Sequence, residues 1–484
     1  MSSNKTKKSI EKKMDLLAEM RQGAILSVRQ QILLIIQLSI PAIMAQVTSV
    51  IMQYIDASMV GQLGANDSAS IGLVGSSTWL IGGLMNAVNI GFYVQIAHRI
   101  GAGREKEARD VMKHGLLVAL LFSAALTAFC MGISGVLPVI LGGGSDITPG
   151  ATIYFRIFAS ELAAYQLMML ACGMVQSSGN MKMPSFANML ACILDVVFNL
   201  FLIFPTGKVR LFGLALPGAG LGIAGAALGT ALSEVVCAVL MLYFLLFRSP
   251  ILHLRKSEKT FFTPEIVKTA FKLTLPAALE SFIMGGAQVA STMIVAPLGT
   301  ISIAANSFAV TAESLCYMPG YGIQSAAVTL IGQSYGAKRT YLTRKLGWLS
   351  TGMGMIVMAA AGVLMYVFAP EMIGILTPDP EIRELGAAVL RIEAFAEPMF
   401  GASIVAAGVF RGTGDTLAPT IRNLASMWCI RIPLAFLLSR TMGLRGVWTA
   451  MCIELSVRGA LFLIHLAGKK WAKQRVKGEL AKAA

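Results

Sequence analysis

The second half of this chain repeats the first at a fixed displacement, and no other feature narrows the possible folds as much. Ile40–Ala65 reads IPAIMAQVTSVIMQYIDASMVGQLGA, and Leu275–Thr300 reads LPAALESFIMGGAQVASTMIVAPLGT. Pro41 matches Pro276, Gln53 matches Gln288 and Gly64 matches Gly299, each 235 positions on (276 − 41, 288 − 53, 299 − 64). The same register carries Gly101 to Gly336, Arg104 to Arg339, Arg109 to Arg344, Arg156 to Arg391 and Gly173 to Gly408. It also carries Gly179 to Gly414, Pro184 to Pro419 and Asn188 to Asn423. The fold therefore consists of one unit built twice.

Composition decides where that unit lives. Of 484 residues, 56% are hydrophobic and only 13% charged, against roughly a quarter charged in soluble domains. The apolar runs are about 20 residues long without period-2 alternation, which selects membrane helices over barrel strands. Forty-eight glycines suit closely packed membrane helices. The expected fold is an all-α integral membrane protein of twelve transmembrane helices in two six-helix bundles. The first six spans fall near 31–60, 70–98, 112–135, 150–176, 184–206 and 218–247. The second six fall near 268–296, 301–332, 346–368, 383–410, 416–438 and 443–468. The organisation is a tail over 1–30, a bundle over 31–247, a linker over 248–267, a bundle over 268–468 and a basic tail over 469–484.

Six spans per half is an even number, so both halves face the same way and are related by a pseudo-twofold axis along the membrane normal. Transporters built from such parallel repeats carry their substrate path between the halves. Lys and Arg gather in both tails and in alternate short loops. That pattern makes the chain a multi-pass cell-membrane protein with both termini cytoplasmic, and it explains the net charge of +15 without a nucleic-acid partner. In the N-tail, Ile10, Met14, Leu17 and Ile25 have rough helical spacing, so the tail either lies on the membrane or is solvated. The seven cysteines all sit in apolar runs with no CxxC, which favours packing over metal or disulfide roles. No cleavable leader is expected.

Carboxylates inside spans are functional candidates by default. The set drawn from the sequence is Asp56, Asp195, Glu280, Glu313, Glu397 and Glu454. A carboxylate in a membrane cavity can exchange a proton for Na⁺ or for a cationic compound. Asn306, Glu313, Tyr317 and Gln324 share one face of the eighth span. Asn86 and Asn89 stand at the corresponding place on the second, and Gln53 and Gln288 add further polar groups. These residues either line a shared wet cavity or bond helices together. Glu397-Pro398 reads as a kink, with Arg431 as the partner of Glu397. Arg156 and Arg391 lie at symmetric positions near the far ends of spans four and ten and are expected to snorkel. The short GISG pattern at Gly132–Gly135 lacks a nearby base, so an intramembrane serine enzyme is disfavoured. With no phosphate-cradling loop and no cofactor motif, the energy source is an ion gradient.

The order and spacing of several motifs resemble the multidrug and toxic compound extrusion (MATE) family. They are the P-x14-D-x4-G pattern of Pro41, Asp56 and Gly61, GAGREKEA (101–108) with its echo YGAKR (335–339), GIAGAALGT (222–230) and VFRGTGDTLAP (409–419). The resemblance runs from about Leu33 to Leu466. It implies a monomeric antiporter of small organic, often cationic, compounds in a lipid bilayer, driven by H⁺ or Na⁺ through alternating access. A flippase for a lipid-linked substrate is the alternative on this scaffold. The resemblance also implies a cation site formed by Asp56, Asp195 and Thr230, which are the ligands if the ion is Na⁺. The family's Asn, four residues before the Asp of the fifth span, is Ala191 here. Asn199, one turn later, and Asn188, two turns earlier, are the candidates to replace it. Glu280 matches a Glu of the seventh span used for cation or drug binding, whereas that Glu's Asp partner on the tenth span is Phe400 here. Glu280 is therefore expected to face the substrate path and attract cations.

Overall fold

The computed structural model of the chain describes residues 16–207, 210–211, 214–215, 218–255, 258 and 262–473. The basic residues before Leu16 and after Lys473, the Ile10 and Met14 positions, and Lys208, Lys256 and Lys259 lie outside the described residues. In the first half, span 1 is Val28–Gly61, span 2 Ala65–Gly101, span 3 Glu105–Ile133, span 4 Thr148–Ser177 and span 5 Lys182–Leu202. Span 6 is Ile223–Tyr243, continued by a wide π turn at Phe244–Arg248. In the second half, span 7 is Pro264–Val295, span 8 Thr300–Gly336 and span 9 Thr340–Leu376. Span 10 comes in two pieces, Pro380–Glu393 and Glu397–Gly412, bent by 60°. Span 11 runs from Leu417 to Met442 around a π turn at Met427–Arg431, and span 12 is Leu444–Ala467. A small antiparallel hairpin, Arg210–Leu211 with Leu214–Ala215, joins spans 5 and 6.

Ten single helices and the bent pair are long and apolar enough to cross a bilayer. Span 8 is the twelfth. At 37 residues it has ample length, but it carries Asn306, Glu313, Gln324 and Gln333 and is buried along much of its course, so its polarity faces protein and not lipid. Large apolar side chains such as Leu121, Phe129, Ile356 and Val363 remain exposed around the bundle, as a lipid-facing belt requires. The helices overrun the apolar cores read from the sequence. Span 9, for example, extends six residues before and eight beyond the expected 346–368, through the polar stretch 340–345 at one end and past Pro370 and Glu371 at the other.

The register of the sequence reappears in the backbone. The left-handed residues Gly64 and Gly299, Gly103 and Lys338, and Gly179 and Gly414 are pairs 235 apart. Each sits in the turn between equivalent spans. Lys338 is the one described non-glycine residue with positive φ, and it stands where the first copy has Gly103.

The halves meet along a seam at the end carrying the basic loops, and the seam is itself twofold. His98 Nε2–H donates to the Gly412 carbonyl at 2.7 Å, and Gln333 Nε2–H donates to the Ser177 carbonyl at 2.8 Å. His98 and Gln333 are 235 apart, and so are Ser177 and Gly412. Gly101 packs on the Gln333 carbonyl while Gly336 packs on the His98 carbonyl, which leaves no room for a Cβ at either glycine. Ala97 faces its own counterpart, Gly332, so the pseudo-twofold passes between them.

The start of the described chain is clamped to this seam. Helix Leu16–Arg21 buries Leu16, Leu17 and Met20. Arg21 donates to the Ser178 carbonyl (2.6 Å) and to Gln333 Oε1 (3.0 Å). Arg339 donates to the carbonyls of Met20 and Ala24, both at 2.9 Å. Leu16, Leu17, Met20 and Leu26 of the tail are therefore buried against protein, whereas Ile25 is exposed. At the other end Trp471 is buried against Phe410.

Candidate functional site

Away from the seam, spans 1, 5 and 6 bring two carboxylates together. Asp195 and Asn199 lie one turn apart on span 5 and share a face. Asn199 Nδ2 donates to Asp195 Oδ2 at 3.1 Å and to Asp56 Oδ1 of span 1 at 3.0 Å. Asp195 and Asn199 are fully buried, and Thr230 of span 6 stands beside Asp195. The GIAGAALGT run explains the closeness. Gly225 and Gly229, four residues apart, present a small-residue stripe on which span 5 packs. A Cβ at Gly229 would collide with Asn199 Oδ1, so the amide that bridges the two aspartates depends on a bare backbone opposite.

Of the two candidates to replace the family's Asn, Asn199 joins the pair and Asn188 does not. Asn188 lies seven residues before Asp195, about 10 Å along the helix. Its counterpart Asn423 donates to Glu280 Oε1 at 2.6 Å, and the counterpart of Glu280 is Ala45. The first half keeps the amide and lacks the carboxylate it would serve.

Beside the aspartates is a cavity of about 580 Å³. Gln53, Asn86 and Thr230 line it, together with the aromatic side chains of Trp79, Tyr154 and Tyr165. Two further carboxylates, Glu161 of span 4 and Glu234 of span 6, also form its wall. Glu161 is 7% exposed, and Oε2 of each glutamate is buried without a hydrogen-bond partner. Among the described residues no Lys or Arg lines the cavity. Both glutamates meet the criterion of a carboxylate inside an apolar span, yet both stand outside the set drawn from the sequence. Neither has a carboxylate counterpart, the positions 235 on being Ala396 and Lys469, and the same holds for Asp56, opposite Ser291.

The remaining candidates are engaged elsewhere. Asn89 Oδ1 accepts from Gln166 at 2.6 Å, Asn306 Oδ1 accepts from Trp448 at 2.9 Å, and Gln324 Nε2 donates to the Ile404 carbonyl at 2.7 Å. These are bonds between helices. Tyr317 packs against Tyr321 and Phe400, and Gln288 is exposed. Glu280 is not an open attractor of cations. Arg411 Nη2 donates to both its oxygens, at 2.9 and 3.0 Å, and Asn423 adds a third bond. Arg411 has the position of a loop cation in the sequence, but its side chain reaches into the bundle. Glu454 is likewise held by Arg458, at 2.7 and 2.8 Å. Glu313 is buried near Arg431. The bend in span 10 falls just before Glu397-Pro398, yet Arg431 is not bonded to Glu397. Its Nη2 lies 2.7 Å from Met451 Sδ, and both Glu397 oxygens are buried without a partner. Arg156 donates to Ser134 Oγ and Arg391 to the Tyr366 carbonyl, so neither arginine points into the cavity.

The MatE family model matches this chain twice, over residues 41–201 and 276–437, and the two matches begin 235 residues apart (276 − 41). The chain belongs to the MatE family. Members of this family are transporters and not enzymes. A probable multidrug resistance protein NorM from Thermotoga maritima is 26% identical over 450 residues, covering 91% of this chain and 93% of its own length. The multidrug resistance protein MdtK of Yersinia pestis is 22% identical, covering 91% of this chain and 95% of itself. Among solved structures, an outward-facing multidrug resistance MATE transporter of the MOP superfamily superposes with a TM-score of 0.81 at 21% identity, over 91% of this chain and 97% of its own. The Vibrio cholerae MATE transporter VcmN gives 0.83 at 16% identity, over 92% and 99%. These likenesses establish the MATE fold, so the chain is a multi-pass membrane transporter of twelve helices in two pseudo-symmetric bundles.

Proposed function

We propose that this MatE protein is a proton-driven exporter of small organic, cationic or amphiphilic compounds. It works as a monomer in the plasma membrane, with both termini cytoplasmic. The names of the NorM and MdtK relatives support multidrug efflux as the substrate range. The charge of the loops at the seam supports a cytoplasmic seam, and the closed seam with a cavity on its far side supports an outward-facing state. Export then consists of loading the cavity when the seam opens and releasing outward when it closes.

The observation that carries this reading is the Asp56–Asn199–Asp195 bridge beside the cavity. Two carboxylates in low dielectric cannot both stay charged and uncompensated. A proton taken from outside relieves that repulsion, and its departure to the inside restores it. A hard cation such as Na⁺ needs several oxygen ligands. Here Asn199 turns its NH₂ and not its oxygen toward the two aspartates, and Ala191 supplies nothing. We therefore assign the coupling to H⁺, with Asp56 and Asp195 as the carriers and Thr230 and Asn199 as the groups that position them.

Transport by purified protein in liposomes tests the assignment, with Na⁺ and pH gradients varied independently. Movement of a cationic dye should follow the pH gradient and persist in Na⁺-free buffer. Dye movement that only a Na⁺ gradient drives would overturn the proton, and movement that neither gradient drives would overturn the antiporter.

A further inference from the structure

The aspartate pair accounts for the ion but leaves Glu161 and Glu234 without a task. We propose that Glu161 and Glu234 form a charge-reading site, separate from Asp56 and Asp195, which selects compounds carrying two positive centres on a flat apolar body. The proposal rests on the reading of the chain as an exporter and deepens it.

The geometry has three parts. First, the two glutamates share one cavity wall, on spans 4 and 6, which pack along each other. Second, neither is spoken for. Glu161 is more than nine-tenths buried, lines the cavity, and has an oxygen with no partner, as does Glu234. In the second half, by contrast, Glu280 and Glu454 each have an arginine. Third, the rest of the wall is aromatic. Trp79, Tyr154, Phe158 and Tyr165 offer the faces and edges that hold planar rings and cations.

Charge balance then sets the ligand. A monocation pairs with one glutamate and leaves the other to be neutralised by a proton, so the second carboxylate contributes nothing to binding. A dication satisfies both. The cavity of about 580 Å³ falls within the 300–1,000 Å³ typical of drug-sized ligands. A metal ion is a poor occupant, because no group of three or more His, Cys, Asp or Glu among the described residues is arranged to hold one.

Ethidium and propidium share one phenanthridinium ring and carry one and two positive charges, which makes them a matched probe pair. Equilibrium binding to the purified full-length protein would be followed by dye fluorescence, with no ion gradient present. The parent protein should bind propidium more tightly than ethidium. E161Q and E234Q should each weaken propidium by about ten- to a hundredfold, the worth of a charge-assisted contact, and ethidium by less than about threefold. E234D should restore part of the propidium preference. Equal loss for both dyes, no loss for either, or a parent protein that binds neither, would overturn the proposal. If one glutamine variant does not fold, the other decides. Because the assay uses no gradient, a failed coupling assignment leaves this result standing, and loss of propidium selectivity leaves gradient-driven ethidium export measurable.

Discussion

In the first half of the molecule Asp56, Glu161, Asp195 and Glu234 surround or adjoin one cavity, and among the described residues no Lys or Arg hydrogen-bonds to any of them. In the second half Glu280 is fastened to Arg411 and Glu454 to Arg458, and Arg431 shares the buried cluster of Glu313, Glu393 and Glu454. The same helical scaffold thus treats negative charge in two ways. Where a fixed cation is built in, the charge is compensated at all times: Arg411 ties Glu280 of span 7 to span 10, and Arg458 holds Glu454 one turn away on span 12. Where none is built in, compensation has to come from something that arrives and leaves. Glu393 and Glu397, buried with both oxygens unpartnered, are the exceptions in the second half, so counter-charge separates individual carboxylate sites more than whole halves.

The largest effect expected from this contrast is on transport. D56N and D195N should each reduce proton-driven dye export by about a hundredfold or more, the scale of losing a positioned proton carrier, while leaving thermal stability unchanged or raised, since each removes an uncompensated buried charge. Proteoliposome flux and melting temperature, measured on the same preparations, check both halves of that statement. Retained coupling in D56N would break the comparison at its root. E280Q should do the reverse. It leaves Arg411 buried and unpaired, at a cost of about 3–5 kcal/mol of stability. The double replacement E280L/R411M should recover most of that, and recovered double-mutant stability with normal export would sharpen the assignment of Glu280 as a brace.

A smaller loss is expected at Gly229. G229A intrudes on Asn199 and should cost about 1–3 kcal/mol through overpacking, together with a shift in the pH dependence of transport, because the amide bridging the aspartates is displaced. Alanine at Gly225 packs against backbone and not against Asn199, so its stability loss should come without the pH shift. The smallest effect should follow H98Q, which writes the Gln333 side of the seam onto the His98 side. The donor to Gly412 is kept, so stability should change by less than about 0.5 kcal/mol. A large change would mean the two sides of the seam are not equivalent.

The repeat made most of the scaffold legible. Glycines matched in sequence became matched turns and matched backbone contacts, Gly101 and Gly336 at the seam among them. Asp56 and Asp195 stood out because a charge in an apolar run has few explanations, and one turn of helix put Asn199 beside them. The partners of other polar residues could not be read, because they depend on side chains distant in sequence. Arg411 is 131 residues from Glu280 and looks like an ordinary loop cation. The engagement of Asn89, Asn306 and Gln324 in bonds between helices likewise depends on packing that spacing along one helix does not encode. Glu161 and Glu234 were accessible to the same reasoning as Asp56, being carboxylates within apolar spans, and Asp56 too lacks an echo in the second half, where Ser291 stands. The docking of Leu16–Arg21 follows from a fit to the Ser178 turn and the Arg339 turn, which no periodicity in a short segment reveals.

The twin bonds of the seam bear on how the transporter can open. His98 to Gly412 and Gln333 to Ser177 lie on opposite sides of one axis, at equal lever arms, each tying one half to the other. A rigid rocking of the halves lengthens both by the same amount, so neither can let go first. Opening of this face should therefore be a single concerted event, with distances between spin labels across the seam falling into two populations and no half-latched third. Gradual change through a stable intermediate distance would show instead that the halves flex within themselves.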